Sequence, residues 1–338
     1  MIPALPHHGM TAMTRLFAIA FALAASPPTF AAEPAIEKGE VKFAADAKDG
    51  GAPEFFRMDA RTFPYELKPK YSLPNAEVDV FSLSYPSAVN SASVSNNTVY
   101  AEYYKPRSAG KHPTLIVLDI MDGAQVVARS QALWLAQHDI AALVVVMAHY
   151  GPRREPGSKD RLLSTDIEKS VANVHQTVLD CRVALAWLEA RPEIDAENIG
   201  ILGTSLGSFV GGIFGGIEPK VRSVNLLLGG GALVESFSEH PIAVVLAPIF
   251  RLAGVTPEKL NKLIDPIDPI TYADGLKGKR LLLIAAKNDD VVPPNAMKRL
   301  WEAVGKPEAM IWVEATHVGS ALYTFQMMRA VIKNAKGE

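Results

Sequence analysis

Residues 199–208 read Ile199-Gly200-Ile201-Leu202-Gly203-Thr204-Ser205-Leu206-Gly207-Ser208, a short apolar run that breaks into a Gly-x-Ser-x-Gly turn. A serine between two glycines at this spacing can sit on a sharp strand-to-helix turn, where a larger side chain at either flank would clash. Such a turn lifts the Ser205 hydroxyl clear of the backbone. It also leaves the N–H of Leu206 free at the start of a helix, where it can face a developing oxyanion. A pattern this short also occurs in ordinary glycine-rich turns, so its meaning depends on what surrounds it.

Upstream, Glu77 to Leu83 alternates apolar and polar residues, as a half-exposed strand does, and Asn97 to Tyr104 reads as its hairpin partner. Thr114 to Leu118 and Ala141 to Met147 are continuous apolar runs of the kind found in strands buried on both faces. Between the second run and Ser205, Val171, Val174, Val178, Cys181, Leu185 and Leu188 recur at spacings of three and four, one helical stripe that includes the cysteine as a packing residue. Downstream, the helix from Leu206 carries Gly207, Gly211, Gly212, Gly215 and Gly216, small enough to pack close to a sheet. Val224 to Leu228 and Leu281 to Ala286 are further buried strands. The Gly229-Gly230-Gly231 after the first lacks the Lys-Ser/Thr pair of a phosphate loop. A helix with Met297, Leu300, Trp301 and Val304, the strand Ile311 to Val313 and a helix with Phe325, Met328, Val331 and Ile332 finish the chain. Two antiparallel strands followed by βα alternation predict an α/β fold: a mostly parallel sheet with helices on both faces.

In such sheets ligands bind beyond the carboxyl ends of the strands. Ser205 follows Ile199 to Leu202, Asp289 and Asp290 follow Leu281 to Ala286, and His317 follows Ile311 to Val313. The order Ser, Asp, His, each at its own strand end, is that of a hydrolase triad. On these residues the chain resembles the α/β-hydrolase superfamily, closest to its dienelactone-hydrolase and acetyl-xylan-esterase-like branches. Gly203-Thr204-Ser205-Leu206-Gly207 matches the nucleophile elbow, Lys287 to Pro294 the acid loop, and Thr316-His317-Val318-Gly319 the histidine loop. The resemblance implies Ser205 as nucleophile, His317 as base and Asp289 as acid, because the family's aspartate commonly stands three residues before Val-Pro. It implies an oxyanion hole from the N–H of Leu206 and of Ile120 or Met121, although Leu118-Asp119-Ile120-Met121-Asp122-Gly123 replaces the His-Gly of many relatives. It makes Tyr150 and Arg153 candidates for the substrate side of the site, where Arg153 or Arg154 could hold an acidic group, although a solvated or structural arginine pair is the favoured reading. The dienelactone type uses cysteine where this chain has serine, which favours ordinary ester or amide cleavage. No metal or organic cofactor is required.

The whole chain adds bounds. Its 338 residues carry 34 Lys plus Arg against 36 Asp plus Glu, a balance that points to no nucleic acid or anionic membrane partner. One cysteine, Cys181, excludes an intrachain disulfide and a cysteine-based metal cluster. Arg15 followed by the apolar run Leu16 to Ala25 reads as an export signal cleaved near Ala31 or Ala32, with Met10 or Met13 as alternative starts. The run is shorter than the roughly 20 residues that span a bilayer, so no stable membrane anchor is expected. The expected layout is a signal peptide over 1–32, an aperiodic N-terminal extension over 33–76, wrapping the domain or partly disordered, and an α/β-hydrolase domain over 77–338. A cap-like insertion falls at about 232–279, where Ile242 to Leu252 is either a lid helix or a core helix. The expected function is a periplasmic or secreted serine hydrolase acting on a small-molecule carboxylic ester. A serine peptidase of the prolyl-oligopeptidase type and a non-catalytic hydrolase-like binding protein are the alternatives, and the oligomeric state stays open.

Overall fold

A computed structural model describes residues 35–46, 52–238 and 256–338. Among the described residues ten strands form one sheet in the order β1-β2-β3-β4-β6-β5-β7-β8-β9-β10. The strands β1 (Glu37–Phe43), β2 (Arg61–Leu73), β3 (Val78–Pro86) and β4 (Thr98–Pro106) form an antiparallel meander, and β4 also pairs antiparallel with β6 (Ala141–Val145). From there across β5 (His112–Leu118), β7 (Ile194–Thr204), β8 (Ser223–Leu227), β9 (Arg280–Ala286) and β10 (Met310–Val313) every pairing is parallel.

The apolar runs become the central strands because both of their faces are covered. Along β5, Ile116 and Leu118 join one buried cluster while Leu115 and Val117 join another on the opposite face, the two-residue alternation of a strand. The first cluster is closed by α2 (Ile167–Glu189) and α3 (Leu206–Ile217), the second by α1 (Val126–Ala136) and the C-terminal helix Thr324–Lys336. Cys181 is fully buried in the first, and burial pushes its thiol above the ordinary range.

After β5 the chain crosses to β6 on one side, and from β6 it returns past β5 to β7 on the other. The loops that leave β5 and β7 therefore diverge, which opens a crevice at the carboxyl ends of these two strands.

Two expectations need correction. The sheet begins at Glu37, not near Glu77, because β1 and the 13-residue β2 belong to it. In β2, Phe63 and Leu67 are buried, and Tyr65 between them packs on the same core. The alternation is hard to read because Pro64 and Pro69, which cannot donate to a ladder, interrupt it, and the register shifts between Pro69 and Tyr71. Residues beyond β1 are held to the domain by Asp46, which takes two 2.7 Å hydrogen bonds from the buried Arg182 guanidinium. That pair holds the Asp46 carboxyl below its usual range in spite of the opposing effect of burial.

The second correction concerns the insertion. Pro269–Leu276 lies directly on α3: a Cβ on Gly216 would stand 2.6 Å from the Tyr272 carbonyl oxygen, and one on Gly275 only 1.7 Å from that of Gly216. The small face of α3 thus admits this segment as well as the sheet. Ala273 and Leu276 belong to the core, so this part of the insertion is a packed layer and not a cap. Ile242 to Leu252 and the proposed signal over 1–32 lie outside the described residues.

Candidate active site

The turn after β7 holds Ser205 at φ 53° and ψ −115°, a conformation costly for a residue with a side chain. The two glycines make it possible. A Cβ on Gly203 would stand 2.1 Å from the Gly207 carbonyl oxygen, and one on Gly207 would stand 2.4 Å from that of Leu118. The chain therefore crosses itself at the elbow, and β5 ends against the start of α3. Ser205 is 8% exposed, and its N–H donates to the Leu227 carbonyl at 2.8 Å, which fastens the turn to β8. The N–H of Leu206, in the first turn of α3, has no carbonyl to meet within the helix.

His317 follows β10 and begins the short helical turn Val318–Tyr323. Its Nε2 is 3.0 Å from Ser205 Oγ, and its Nδ1 is 2.8 Å from Asp289 Oδ2 and 3.0 Å from Oδ1. Asp289 Oδ1 also accepts the N–H groups of Val291 at 2.9 Å and Val292 at 2.8 Å. These bonds fix the carboxylate under the imidazole. Asp290 does something else: its Oδ1 accepts the backbone N–H of His317 at 3.2 Å and anchors the loop, not the ring. The three side chains predicted from separate strand ends meet in one hydrogen-bonded chain.

No protein-family model matches the chain, and no curated protein matches its sequence. Among solved structures it is similar to the acetyl xylan esterase from Paenibacillus sp. R4, at 19% identity and a TM-score of 0.64 over 80% of this chain and 88% of that one. It is also similar to acetyl xylan esterase 1 from Thermoanaerobacterium sp. JW/SL YS485, at 18% identity and a TM-score of 0.59 over 79% of this chain and 87% of that one. An esterase from Pyrococcus furiosus matches at 15% identity and a TM-score of 0.54, over 79% and 94%. The chain has the α/β-hydrolase fold.

Around this centre the other expected residues of the hydrolase fold separate. Ile120 and Met121 lie on the loop that leaves β5, beside Gly207, whose Cβ position would also stand 2.7 Å from the Asp119 carbonyl oxygen. Tyr150 is buried and lines a cavity of about 600 Å³ together with Tyr100, Glu102, Asp122, Arg129 and Arg154. Burial pushes the Tyr150 hydroxyl up to about 12. None of Ser205, His317 and Asp289 lines this cavity, which opens beside the loop after β5.

Arg153 is not a substrate-binding residue in this arrangement. It is fully buried, donates to the carbonyls of Val146 at 3.0 Å and Asn96 at 2.9 Å, and meets Asp180 Oδ2 at 2.7 Å. The short helical turn Gly151–Arg153 rotates it inward, and Asp180 on α2 supplies the counter-charge. Arg154 instead faces the cavity, where it donates to the His149 carbonyl at 2.9 Å and to Asp122 Oδ1 at 2.8 Å. His149 sits in a polar network with Asn96 and Asn173, and burial lowers its pKa. Among the described residues no group of three or more His, Cys, Asp or Glu side chains is arranged to hold a metal ion.

Two supporting residues were missed in the sequence. Gln131 on α1 donates to Thr204 Oγ1 at 2.9 Å, bracing the residue before Ser205. Its signal was a polar residue inside the Ala128, Ala132, Leu135 face. Asp119, fully buried, accepts the Ala128 N–H at 3.0 Å. A charged residue ending an apolar strand was the signal there.

Proposed function

We propose that the protein is an exported serine hydrolase that cleaves small carboxylic esters through Ser205, His317 and Asp289. The observation that carries this reading is the unbroken hydrogen-bonded chain from Ser205 Oγ through the His317 ring to Asp289. A serine hydroxyl is a weak nucleophile at neutral pH, so His317 Nε2 accepts its proton as Oγ attacks the acyl carbon. Asp289 holds the imidazole with Nδ1 protonated and stabilises the imidazolium that forms. The oxyanion is received by the N–H of Leu206 and one from the loop after β5. Ile120 and Met121 both lie on that loop beside Gly207, and either amide can serve.

Collapse of the tetrahedral species breaks the bond to the alcohol oxygen, which takes its proton from His317. Water, deprotonated by the same nitrogen, then attacks the acyl-enzyme and releases the acid. Removing one oxyanion donor costs such reactions on the order of 3 kcal/mol of barrier. Acetyl esters are the first substrates to try, since two structural neighbours are named acetyl xylan esterases.

Incubation with an alkyl fluorophosphonate should label Ser205 and leave a Ser205→Ala variant unlabelled. Absence of label on the wild type would remove the enzymatic reading. Turnover of p-nitrophenyl acetate should exceed that of aminoacyl p-nitroanilides; the reverse ranking would make the protein a peptidase. Export is supported by Arg15 and the apolar run after it, and it predicts a mature chain in the periplasm or medium that starts near residue 32. An uncleaved cytoplasmic chain would refute it.

A further inference from the structure

The loop between β5 and α1 is strained in an unusual way. Asp122 at φ 50°, Ala124 at φ 49° and Gln125 at φ 65° all adopt the left-handed region, which residues with a Cβ seldom enter. Such a conformation persists only where its surroundings hold it. Three side-chain hydrogen bonds do so here. Arg154 bonds Asp122 Oδ1 at 2.8 Å, Arg129 Nη1 bonds the Ala124 carbonyl at 3.3 Å, and Asp119 Oδ1 accepts the Ala128 N–H at 3.0 Å.

The first two are made by partly exposed side chains on the cavity side. Asp119 lies beneath the loop, fully buried. The turn folds onto its carboxyl so closely that a Cβ on Gly123 would stand 2.6 Å from Asp119 Oδ2 and 2.4 Å from Ile120 Cγ1. The amides of Ile120 and Gln125 also interact with this carboxylate. Its Oδ2 has no hydrogen-bond partner. One short side chain thus ties the end of β5 to the first turn of α1 across the segment that carries Met121.

We infer that Asp119 is the positioning residue of the oxyanion segment, holding the strained turn so that a backbone N–H stays aimed at the Ser205 site. The inference rests on Ser205 being the nucleophile of an ester hydrolase. Asp119 touches no substrate; it acts through the backbone of Ile120 and Met121. Its contribution is made in the transition state, when negative charge reaches the oxyanion, and not in ground-state binding.

The test compares Asp119→Ala, Asp119→Asn and Gly123→Ala in the full chain, with p-nitrophenyl acetate as substrate and an alkyl trifluoromethyl ketone as inhibitor. Asp119→Ala should lower kcat by about 100-fold, the scale of one lost oxyanion donor, with KM within about threefold of wild type. The inhibitor constant, which reports the oxyanion of the hemiketal, should weaken alongside kcat. Asp119→Asn keeps an Oδ1 acceptor for the Ala128 amide and should recover most of the loss.

Gly123→Ala displaces the turn from its other side and should reproduce the kcat effect, which keeps the inference testable if Asp119→Ala fails to fold. A folded Asp119→Ala or Gly123→Ala protein with kcat and inhibitor constant within threefold of wild type would overturn it. So would a loss confined to thermal stability or to KM. A wild type that neither turns over the ester nor takes the fluorophosphonate label would instead remove the esterase reading itself.

Discussion

Replacing Arg153 with methionine separates a structural from a substrate-binding role. The guanidinium is fully buried and spans three acceptors: the Val146 carbonyl, the Asn96 carbonyl and Asp180 Oδ2. Methionine fills much of the volume but leaves the buried Val146 carbonyl and Asp180 Oδ2 without their donor, while the Asn96 carbonyl keeps only the Gln176 amide at 3.3 Å. Asp180 keeps the Ser87 hydroxyl at 2.7 Å and the Ala88 N–H at 2.9 Å, but it loses its counter-charge. Breaking a buried pair from one side costs about 3–5 kcal/mol, a large share of the roughly 5–15 kcal/mol that holds a domain folded. Lysine should rescue poorly, since a point charge cannot serve three acceptors arranged for a planar fork. The double variant Arg153→Met/Asp180→Leu should be less destabilised than the sum of its parts, because no charge is then left unpaired. Urea unfolding followed by tryptophan fluorescence measures the loss, and ester kinetics on the folded fraction should show KM nearly unchanged. A variant that keeps its stability within about 1 kcal/mol while KM rises would put Arg153 at the substrate and refute the burial argument.

Exchange of the two neighbouring aspartates should divide their roles: Asp289→Asn loses activity by about 10⁴-fold through the wrong imidazole tautomer, while Asp290→Asn, which only weakens a bond to the His317 backbone, stays within about tenfold. Equal losses on steady-state assay would contradict this. Gly207→Ala should abolish activity and lower the melting temperature, because the new methyl would stand 2.4 Å from the Leu118 carbonyl oxygen; an active, stable variant would show that the elbow can open. Burial lowers the His149 pKa below its ordinary 6.5, so the unfolded chain takes up that proton first as pH falls. The stability His149 confers is therefore whole above about pH 6.5 and declines below it until the folded-state pKa is passed. The stability gap between wild type and His149→Gln should narrow between pH 7 and pH 5, and a gap independent of pH would show that His149 does not titrate differently on folding.

The parallel half of the sheet was legible because its strands are covered on both faces, and continuous apolar runs such as Ile199 to Leu202 and Leu281 to Ala286 have no other easy home. The meander was half legible. β3 and β4 alternate openly, but Pro64 and Pro69 hid the same alternation in β2, since local rules read proline as a strand breaker and cannot see the neighbours that tolerate it. In the insertion, Pro269–Leu276 looked like part of a cap because nothing local marks it as core; only its contact with the glycine face of α3 makes it so.

By itself the sequence determined the chemistry on offer: a serine that only flanking glycines permit in so tight a turn, and an aspartate and a histidine that follow later strands in hydrolase order. Those are properties of chain order and residue type, which local pattern records. Resemblance already pointed to Asp289 over Asp290, but the tertiary structure alone decided direction and distance: that the Asp289 carboxylate lies 2.8 Å from the His317 ring while Asp290 meets the His317 backbone, and that Arg153 turns into the core while Arg154 faces the cavity. Adjacent residues share nearly the same local sequence. Which of them reaches a site depends on a rotation of the backbone set by packing partners far along the chain, here Asp180 on α2 for Arg153 and the loop carrying Val291 and Val292 for Asp289.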